Sequence, residues 1–424
     1  MCTFIPNYSA VFDMSETGSK QMRPFFIIFT GQAISLIGSR LVQFSLVWWL
    51  TQQTGSANIL AFASIMAILP QAILGPFAGV LVDRWNRKRV MLYADSGIAL
   101  VTVALAFLYS SGLVQVWHIY ALMFIRSLGG AFHWTAMQAS TSLMVPSDQI
   151  ARVAGLNQSV SGIASIVAPP IGAILIEILP IEYVLGIDII TAVIALVPLL
   201  FILVPQPSRQ LSGASSILDD MRGGLNFVLQ WRGLMIIMMM SLIINLLISP
   251  AFSLLPLLVT NYFKGGALEL AWIQSANGLG MILGGLILSL WGGFQSRVKT
   301  AFTALVIAGI CILGFSQTPP EILQLAVVFI FIFGLTNSIA NSSFFAALQT
   351  LVPPEYQGRV FTLAMAASTI AQPIGLAIAG PVSEFFNIRS WFVIGGVSFI
   401  IMALLAFTTT AVRNFEETSP PITC

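Results

Sequence analysis

The chain contains twelve apolar segments of about 20 residues, the length that spans roughly 30 Å of hydrocarbon. Hydrophobic residues make up 57% of it and charged residues 8%, whereas a soluble domain carries about 25% charged residues. Spans of a membrane β-barrel would be shorter and would alternate in polarity. The sequence therefore predicts an all-α integral membrane protein with twelve transmembrane helices, spans 1 to 12, at 25–50, 57–82, 90–110, 117–138, 153–178, 182–204, 233–262, 269–291, 299–316, 321–346, 359–379 and 390–412.

Most of the Lys and Arg residues lie on one side of this arrangement. Of the 18 residues of these types, only Lys264 and Arg389 fall on the opposite side, and Arg40 and Arg126 fall inside spans. Loops rich in Lys and Arg face the cytoplasm, so we expect a multi-pass protein of the cytoplasmic membrane with both termini cytoplasmic. The net charge of +2 follows from this topology and does not indicate nucleic-acid binding.

The loop between spans 2 and 3 has an informative order of residues. Segment 79–89 reads GVLVDRWNRKR, and its four cations in six positions require water. Any basic loop between two spans shares that property, but the order G-x-L-x-D-R-x-x-R-K resembles the loop signature of the major facilitator superfamily, with Asn86 in place of a usual glycine. The first glycine permits close helix packing. The resemblance implies a conformational gate made of Gly79, Asp83, Arg84, Arg87 and Lys88.

The sequence repeats itself at about half its length. The pattern V-P-x5-R-V at 145–153 recurs 207 positions later at 352–360, and A-S-x-x-A-x-P-I-G at 164–172 recurs at 367–375. Transporters built from such repeats hold their substrate midway between the halves. We therefore predict two pseudo-symmetric halves of six helices. The predicted parts are a cytoplasmic tail 1–24, a bundle 25–204, a cytoplasmic linker 205–232 with a short amphipathic helix, a bundle 233–412 and a cytoplasmic tail 413–424.

Four charged residues fall inside spans of the first half, namely Arg40, Asp95, Arg126 and Asp188 in spans 1, 3, 4 and 6. An Arg at the middle of a bilayer costs about 2.5–3.5 kcal/mol, so each charge should have a partner. If spans 1–3 and 4–6 are inverted repeats, as in the superfamily, each unit of three spans holds one Arg and one Asp. In the superfamily helix 4 neighbours helix 3 and helix 1 neighbours helix 6, so the resemblance implies that Asp95 pairs with or near Arg126 and that Arg40 pairs with Asp188. Two alternatives remain open: the pairs are purely structural, or Arg40 extends to the outer interface.

Proton coupling is a functional interpretation of these charges. An opposite charge lowers the pKa of a carboxyl group and desolvation raises it, so Arg126 would keep a nearby carboxylate ionised until a proton or substrate arrives. His133 shares the helix face of Arg126 and is of a type that titrates near neutrality, although a packing role is an alternative. The run R-S-L-G-G-A at 126–131 resembles a motif of proton-coupled exporters of the superfamily. The predicted charge relay is Arg126, Asp95, Arg40, Asp188 and His133.

Span 5 resembles, imperfectly, the antiporter motif of the same superfamily, with Ala168 and Ala173 in place of usual glycines. Prolines and glycines there would give a kinked, closely packed helix. The predicted positions are Gly162, Pro169, Pro170 and Gly172.

Polar but uncharged residues occur in several spans, together with many Met and aromatic residues. Such a polarizable wall suits bulky amphipathic ligands. The predicted substrate cavity contains Gln43, Asn245, Gln274, Asn277, Asn337 and Asn341.

Nearly the whole chain resembles one bacterial branch of the superfamily, the drug:proton antiporters that include macrolide-efflux and enterobactin-exporter proteins. The resemblance rests on segments such as 124–129 and 352–361, with Thr135 where the branch usually has proline. It implies alternating access and export of amphipathic, macrolide-like molecules driven by inward proton flow. Alternatives on the same fold are an exporter of siderophores or other secondary metabolites, and a lysolipid facilitator.

An enzyme is not predicted, because the spans lack paired carboxylates, a nucleophile with its base, or a set of metal ligands. Cys2, Cys311 and Cys424 are far apart and form no metal or redox pattern. We expect no metal and no cofactor, and a monomer whose partners are a small amphipathic substrate, protons and the lipid bilayer.

Overall fold

The computed structural model describes residues 9–206, 217–385 and 387–417. These residues form helices and connecting loops, and no strand occurs among them. The helices are α1 Ser9–Thr54, α2 Ala57–Arg84, α3 Arg87–Ser110, α4 Val116–Met144, α5 Ile150–Ile178, α6 Ile181–Phe201, α7 Ile217–Gln230, α8 Arg232–Ser253, α9 Leu255–Asn261, α10 Ala267–Trp291, α11 Arg297–Gln317, α12 Leu323–Leu351, α13 Pro354–Phe385, α14 Arg389–Thr408 and α15 Thr410–Arg413.

Eleven helices in the described part of the chain are long and apolar enough to cross a membrane. Of the twelve predicted spans, only the fourth, α4, is not among these eleven helices. It is long enough, with 29 residues, but His118, Arg126 and His133 lower its mean hydropathy. It packs against both α2 and α3, as a span of the bundle does. The predicted all-α membrane fold with twelve transmembrane helices is confirmed.

Some helix bounds differ from the predicted ones. α1 begins at Ser9, so part of the predicted tail 1–24 is helical. Span 7 is divided into α8 and α9, and Pro256 lies in the first turn of α9, where its missing N–H leaves no hydrogen bond unmade. The predicted linker contains α7, while residues 207–216 and 418–424 lie outside the described residues.

Side-chain caps and one glycine determine where several helices begin and end. The side chain of Asn86 accepts a hydrogen bond from the backbone N–H of Arg89 at 3.0 Å, and Ser296 accepts one from Lys299 at 3.1 Å. Both are favourable helix N-caps, so Asn86 begins α3 at the position where the superfamily usually has glycine. Gly292 has φ 78°, a left-handed conformation that glycine adopts readily, and it ends α10.

The two halves pack by the same scheme. In the first half α1 packs against α5 and α6, α2 against α4, and α3 against α4 and α6. In the second half α8 packs against α13 and α14, α10 against α12, and α11 against α12 and α14. Between the halves, α2 packs against α13 and α5 against α10. Exchanging the halves leaves this pattern unchanged, so the arrangement is pseudo-symmetric.

The hydrophobic core is shared at one end of the molecule and divided at the other. We call the end that carries the loop at 85–86 the basic end. At the opposite end a single buried cluster joins residues of both halves, such as Leu46 and Leu60 with Leu258 and Ala379. At the basic end each half has its own buried cluster, one around 82–91 and 145–153 and the other around 227–240 and 352–360. The halves therefore hold together at the opposite end.

Close helix contact in the second half depends on glycine. A Cβ built on Gly280 of α10 would collide with the carbonyl oxygen of Phe331 in α12 and lie 2.9 Å from the backbone nitrogen of Leu335. Backbone atoms cannot move aside singly, so we expect Gly280→Ala to lower the free energy of unfolding by about 1–3 kcal/mol. Thermal unfolding of the purified protein in detergent measures this change.

The matched control is Gly186→Ala in α6, where a Cβ would have nothing within 4 Å. This variant should be as stable as the wild type or more so, because alanine favours a helix by about 1 kcal/mol over glycine. Equal melting temperatures for the two variants would contradict the close approach of α10 and α12.

Candidate functional site

A buried ion pair joins α4 and α6. Arg126 Nη1 and Asp188 Oδ2 lie 2.5 Å apart, and Asp188 is 2% exposed. Ser39 of α1 bonds to both: its hydroxyl donates to Asp188 Oδ1 at 3.1 Å, and its carbonyl oxygen accepts from Arg126 Nη2 at 3.3 Å. Three helices therefore meet at one carboxylate, and its buried charge is both paired and hydrogen-bonded, as buried charges must be.

Asp95 of α3 has a separate set of partners. Gln32 Nε2 of α1 donates to Asp95 Oδ2 at 3.0 Å, and His133 Nε2 of α4 lies 3.5 Å from the same oxygen. The side chains of His133 and Asp95 are 17% and 13% exposed. This second cluster is thus less buried than Asp188.

The observed pairing corrects the predicted one. Arg126 pairs with Asp188 and not with Asp95, and Arg40 does not pair with Asp188. The reason is the rotation of α1 about its axis. With 3.6 residues per turn, successive side chains point about 100° apart, so Arg40 points away from α6 when Ser39 faces it.

Both charge clusters line one cavity inside the first half, which we call the charged cavity. It has a volume of about 450 Å³, and its wall includes Arg40, Gln43, Asp95, Arg126 and His133. Four of the five residues predicted for a charge relay therefore face a common space. The fifth, Asp188, lies against Arg126.

Arg40 also lines a second cavity, which lies between the halves and which we call the central cavity. This cavity has a volume of about 340 Å³ and also contains Gln43, Gln274 and Asn277. Within the described residues, exposed Arg40 makes no ion pair and no hydrogen bond. Its side chain faces these two cavities, so the alternative in which it runs along the lipid to the outer interface does not describe the structure.

A third cavity lies inside the second half, and we call it the amide cavity. It has a volume of about 290 Å³ and is lined by Asn245, Asn277, Asn337 and Asn341 without a charged residue among the described ones. Asn341 Nδ2 donates to the carbonyl oxygen of Asn337 at 2.9 Å. Asn277 Oδ1 is buried and has no hydrogen-bond partner in the described structure. All six residues predicted for a substrate cavity thus line the charged, central or amide cavity.

Aromatic rings stand in the second half where the first half has its ion pair. Phe333 lies 207 positions after Arg126, the interval of the internal repeat. Its ring stacks on Phe252 with centroids 5.3 Å apart and meets the edge of Phe399 at 5.8 Å. Such pairs add about 0.5–1.5 kcal/mol beyond their burial. The two halves therefore offer a ligand different surfaces.

The predicted kink and packing positions lie on a helix that runs without a break from Ile150 to Ile178. A Cβ on Gly162 would lie 3.0 Å from an isoleucine side chain of α10, and one on Gly172 would lie 3.0 Å from a phenylalanine ring of α1. Pro169 lines the central cavity, and Pro170 lies next to it within the helix.

The basic loop holds the ends of neighbouring helices. Arg87 Nη1 donates to the carbonyl oxygen of Ala139 in α4 at 2.6 Å, and Lys88 Nζ donates to a carbonyl near the end of α6 at 2.7 Å. Cations at helix C-termini are favourable because of the helix dipole. In the second half Arg297 Nη1 donates to Ala346 at 2.9 Å, and Ala346 is the repeat equivalent of Ala139.

The other predicted gate residues are placed differently from expectation. Arg84 is exposed. A Cβ on Gly79 would have nothing within 4 Å, so the close helix approach expected there is absent from this conformation. The side chain of Asp83 lies outside what the structure describes.

Two site residues had no role assigned from the sequence, namely Gln32 and Ser39. Together with Gln43 they occupy positions i, i+7 and i+11 of α1, which fall on one helical face. This polar stripe was present in an otherwise apolar span, and its periodicity is the signal that identifies the face of α1 turned toward the cavities.

Comparisons with known proteins agree with this architecture. The family model described as transmembrane secretion effector matches residues 19–422. Macrolide efflux protein A of Streptococcus pyogenes is 32% identical over 398 residues, which cover 92% of this chain and 97% of that protein. The protein of the same name from Enterococcus faecalis is 33% identical, covering 76% of this chain and all of that protein. Multidrug efflux pump Tap of Mycolicibacterium fortuitum is 24% identical, covering 94% and 98%.

Solved transporter structures share the fold. A crystal structure of the nucleoside transporter NupG superimposes with a TM-score of 0.67 at 15% identity, covering 92% of this chain and 99% of that one. A peptide transporter POT in complex with alafosfalin gives a TM-score of 0.68 at 14% identity, covering 92% and 94%. The chain therefore belongs to the transmembrane secretion effector family of the major facilitator superfamily, as a multi-pass transporter whose relatives include bacterial drug efflux proteins.

Proposed function

We propose that the protein exports amphipathic small molecules, macrolide-like drugs among them, by proton antiport with alternating access. One observation carries this proposal: two carboxylates in different states of compensation lie at a single cavity, Asp95 in its wall and Asp188 behind Arg126. Asp188 is paired with Arg126 and buried, whereas Asp95 faces His133 and Gln32 at the cavity wall. The relatives named as macrolide and multidrug efflux proteins support a drug as the cargo.

The ion pair of Arg126 and Asp188 and the contact of Asp95 with His133 suit two different tasks, helix packing and proton exchange. Asp95 and His133 are partly exposed to the charged cavity, so cavity water can deliver or remove a proton there. Removing one partner from a buried ion pair leaves an uncompensated charge, which costs about 3–5 kcal/mol. The pair of Arg126 and Asp188 therefore holds α1, α4 and α6 in register while Asp95 or His133 exchanges the proton.

Alternating access follows from the way the halves meet. They share a core at the opposite end and have separate cores at the basic end, so the basic end is the one at which the halves can separate and close. We assign the basic end, with both termini, to the cytoplasm. Closing that end would bring a helix of the second half toward Gly79, where the structure leaves space. Gly79, Asp83, Arg84, Arg87 and Lys88 would then act as the gate of a monomer made of two rocking bundles.

Two alternatives use the same cavities. An exporter of siderophores or other secondary metabolites differs from a drug exporter only in its cargo. A lysolipid facilitator differs in mechanism, because it would transport without proton exchange. Measurements of proton coupling separate the facilitator from both exporters.

Addition of erythromycin to the detergent-solubilised protein in weak buffer should release protons, because cargo and proton compete for the charged cavity. A pH-sensitive dye measures the release. Asp95→Asn should abolish it, since the exchanging carboxylate is gone. Glu177→Gln, at an exposed position that lines none of the three cavities, should behave as the wild type. Wild-type protein that binds erythromycin without any proton release would favour the facilitator.

Arg126→Ala should abolish gradient-driven efflux while leaving membrane insertion largely intact, since the total hydropathy of the chain hardly changes. An efflux-deficient bacterial host that expresses the variant should regain full susceptibility to macrolides. The amount of protein in the membrane is the control. Retained resistance at equal expression would mean that the residue has only a structural role.

The ion pair can be replaced by apolar side chains as a test of its two contributions. Arg126→Met and Asp188→Leu should each lower the free energy of unfolding by about 3–5 kcal/mol, and the double variant should recover most of that loss. Thermal unfolding in detergent reports the stability. Transport in proteoliposomes should stay absent in the double variant. Recovery of transport together with stability would contradict any functional role for the charges.

A further inference from the structure

The central cavity brings polar side chains of the two halves together. Arg40 and Gln43 are three residues apart on α1, and Gln274 and Asn277 are three residues apart on α10, so each pair lies on one helical face. All four line the same space. The remaining wall is apolar and includes the ring of Phe252.

The arginine of this cavity lacks a partner in the described structure. Arg40 makes neither an ion pair nor a hydrogen bond there, although its neighbour in the charged cavity, Arg126, has both. Water in the open cavity can hydrate a guanidinium, but closure of the halves would remove that water and leave a bare cation within the spans, which is costly. A partner must therefore arrive with the cargo.

We propose that Arg40 binds an anionic oxygen group of the transported molecule, a carboxylate or sulfonate. A guanidinium presents its N–H donors in a planar fork that matches two acid oxygens. This inference rests on the proposed function in one respect, that the cavities are the transport path. It adds amphipathic organic acids to the cargo class.

The charges around the cavity favour an acid over a cation. Among the described residues that line the central cavity, Arg40 is the one charged side chain. Asp95 lines the charged cavity instead, where Gln32 and His133 contact its carboxylate and Arg126 lines the same cavity. Asp188 is already paired with Arg126. A cationic group in the central cavity would therefore meet an uncompensated positive charge.

The apolar part of such an acid has a place beside the charged group. The amide cavity adjoins the central cavity, since both include Asn277 and Phe252. Its wall is uncharged, and it contains the stacked rings of Phe252 and Phe333. An acid bound at Arg40 can thus extend an aromatic or aliphatic body into the second half.

The position of the site makes binding sensitive to the relation of the two halves. Ser275 of α10 donates to the carbonyl oxygen of Ile166 in α5 at 2.7 Å, and this contact between the halves lies between Gln274 and Asn277 along α10. A ligand held by Arg40 on α1 in the central cavity lies beside Gln274 of α10 and so bridges the same seam.

Binding of three pyrene probes to the purified full chain in detergent tests the proposal. The probes are 1-pyrenebutyrate, 1-pyrenebutanol and 1-pyrenebutylamine, which share an apolar body and differ in charge. Fluorescence titration should give the acid at least tenfold higher affinity than the alcohol, with the amine weakest. Arg40→Gln should weaken the acid about 10- to 100-fold, as expected for lost hydrogen bonds to a charged group, and change the alcohol less than twofold.

Further variants keep the result interpretable. Arg40→Lys retains the charge without the planar fork, so its affinity for the acid should be intermediate. Gln274→Glu places a carboxylate in the same cavity and should weaken the acid without weakening the alcohol. Arg152→Gln, at an exposed position that lines none of the three cavities, should leave all three affinities unchanged. If Arg40→Gln does not fold, Arg40→Lys and Gln274→Glu decide the question.

Equal wild-type affinities for acid and alcohol, or equal losses for both in Arg40→Gln, would overturn the inference. Its failure is distinguishable from failure of the proposed function. Proton-coupled macrolide efflux without any acid preference would overturn the role of Arg40 alone. Selectivity for the acid that depends on Arg40, in a protein that shows no gradient-driven transport, would overturn the proposed function alone.

Discussion

A charge inside the hydrocarbon layer is tolerated only with a partner or with water, and this constraint accounts for the arrangement of the first half. Asp188 is almost fully buried, and it accepts from Arg126 and from the hydroxyl of Ser39. Asp95 is less buried and has weaker compensation from Gln32 and His133. The degree of burial and the strength of compensation thus rise together from Asp95 to Asp188.

The scaffold is symmetric, but its chemistry is not. Both halves pack their helices by one scheme, and both use an arginine at a helix start to bind the carbonyl of a repeat-equivalent alanine, Ala139 or Ala346. In the interior, by contrast, the ion pair of Arg126 has the ring of Phe333 as its counterpart. Symmetric contacts between the halves are what a rocking motion needs. The asymmetric interior confines charge to one half and offers apolar and amide surface in the other.

The fold was predictable from the sequence because spans depend on summed hydropathy, which survives any rotation of a helix about its axis. Pairings depend on that rotation, and here prediction failed. Ser39 and Arg40 are adjacent in sequence and both polar in a span, yet only Ser39 faces α6, because the neighbouring Gly38 packs against Thr191 there. The helix-packing role expected of Gly79 also failed, since its closeness to another helix depends on conformation and not on residue type. The polar residues within apolar spans identified side chains that line the cavities without giving their partners.

The divided core is the structural basis of the proposed alternating access. In this conformation the halves bury apolar side chains together at the opposite end, while two separate clusters remain at the basic end. In the proposed mechanism, closing the basic end would exchange one apolar interface between the halves for another. A ligand shifts such an equilibrium only by its difference in affinity for the two states. A proton at Asp95, inside the first half, and an anion at Arg40, beside the second half, would therefore drive the exchange only if each binds one conformation more tightly than the other.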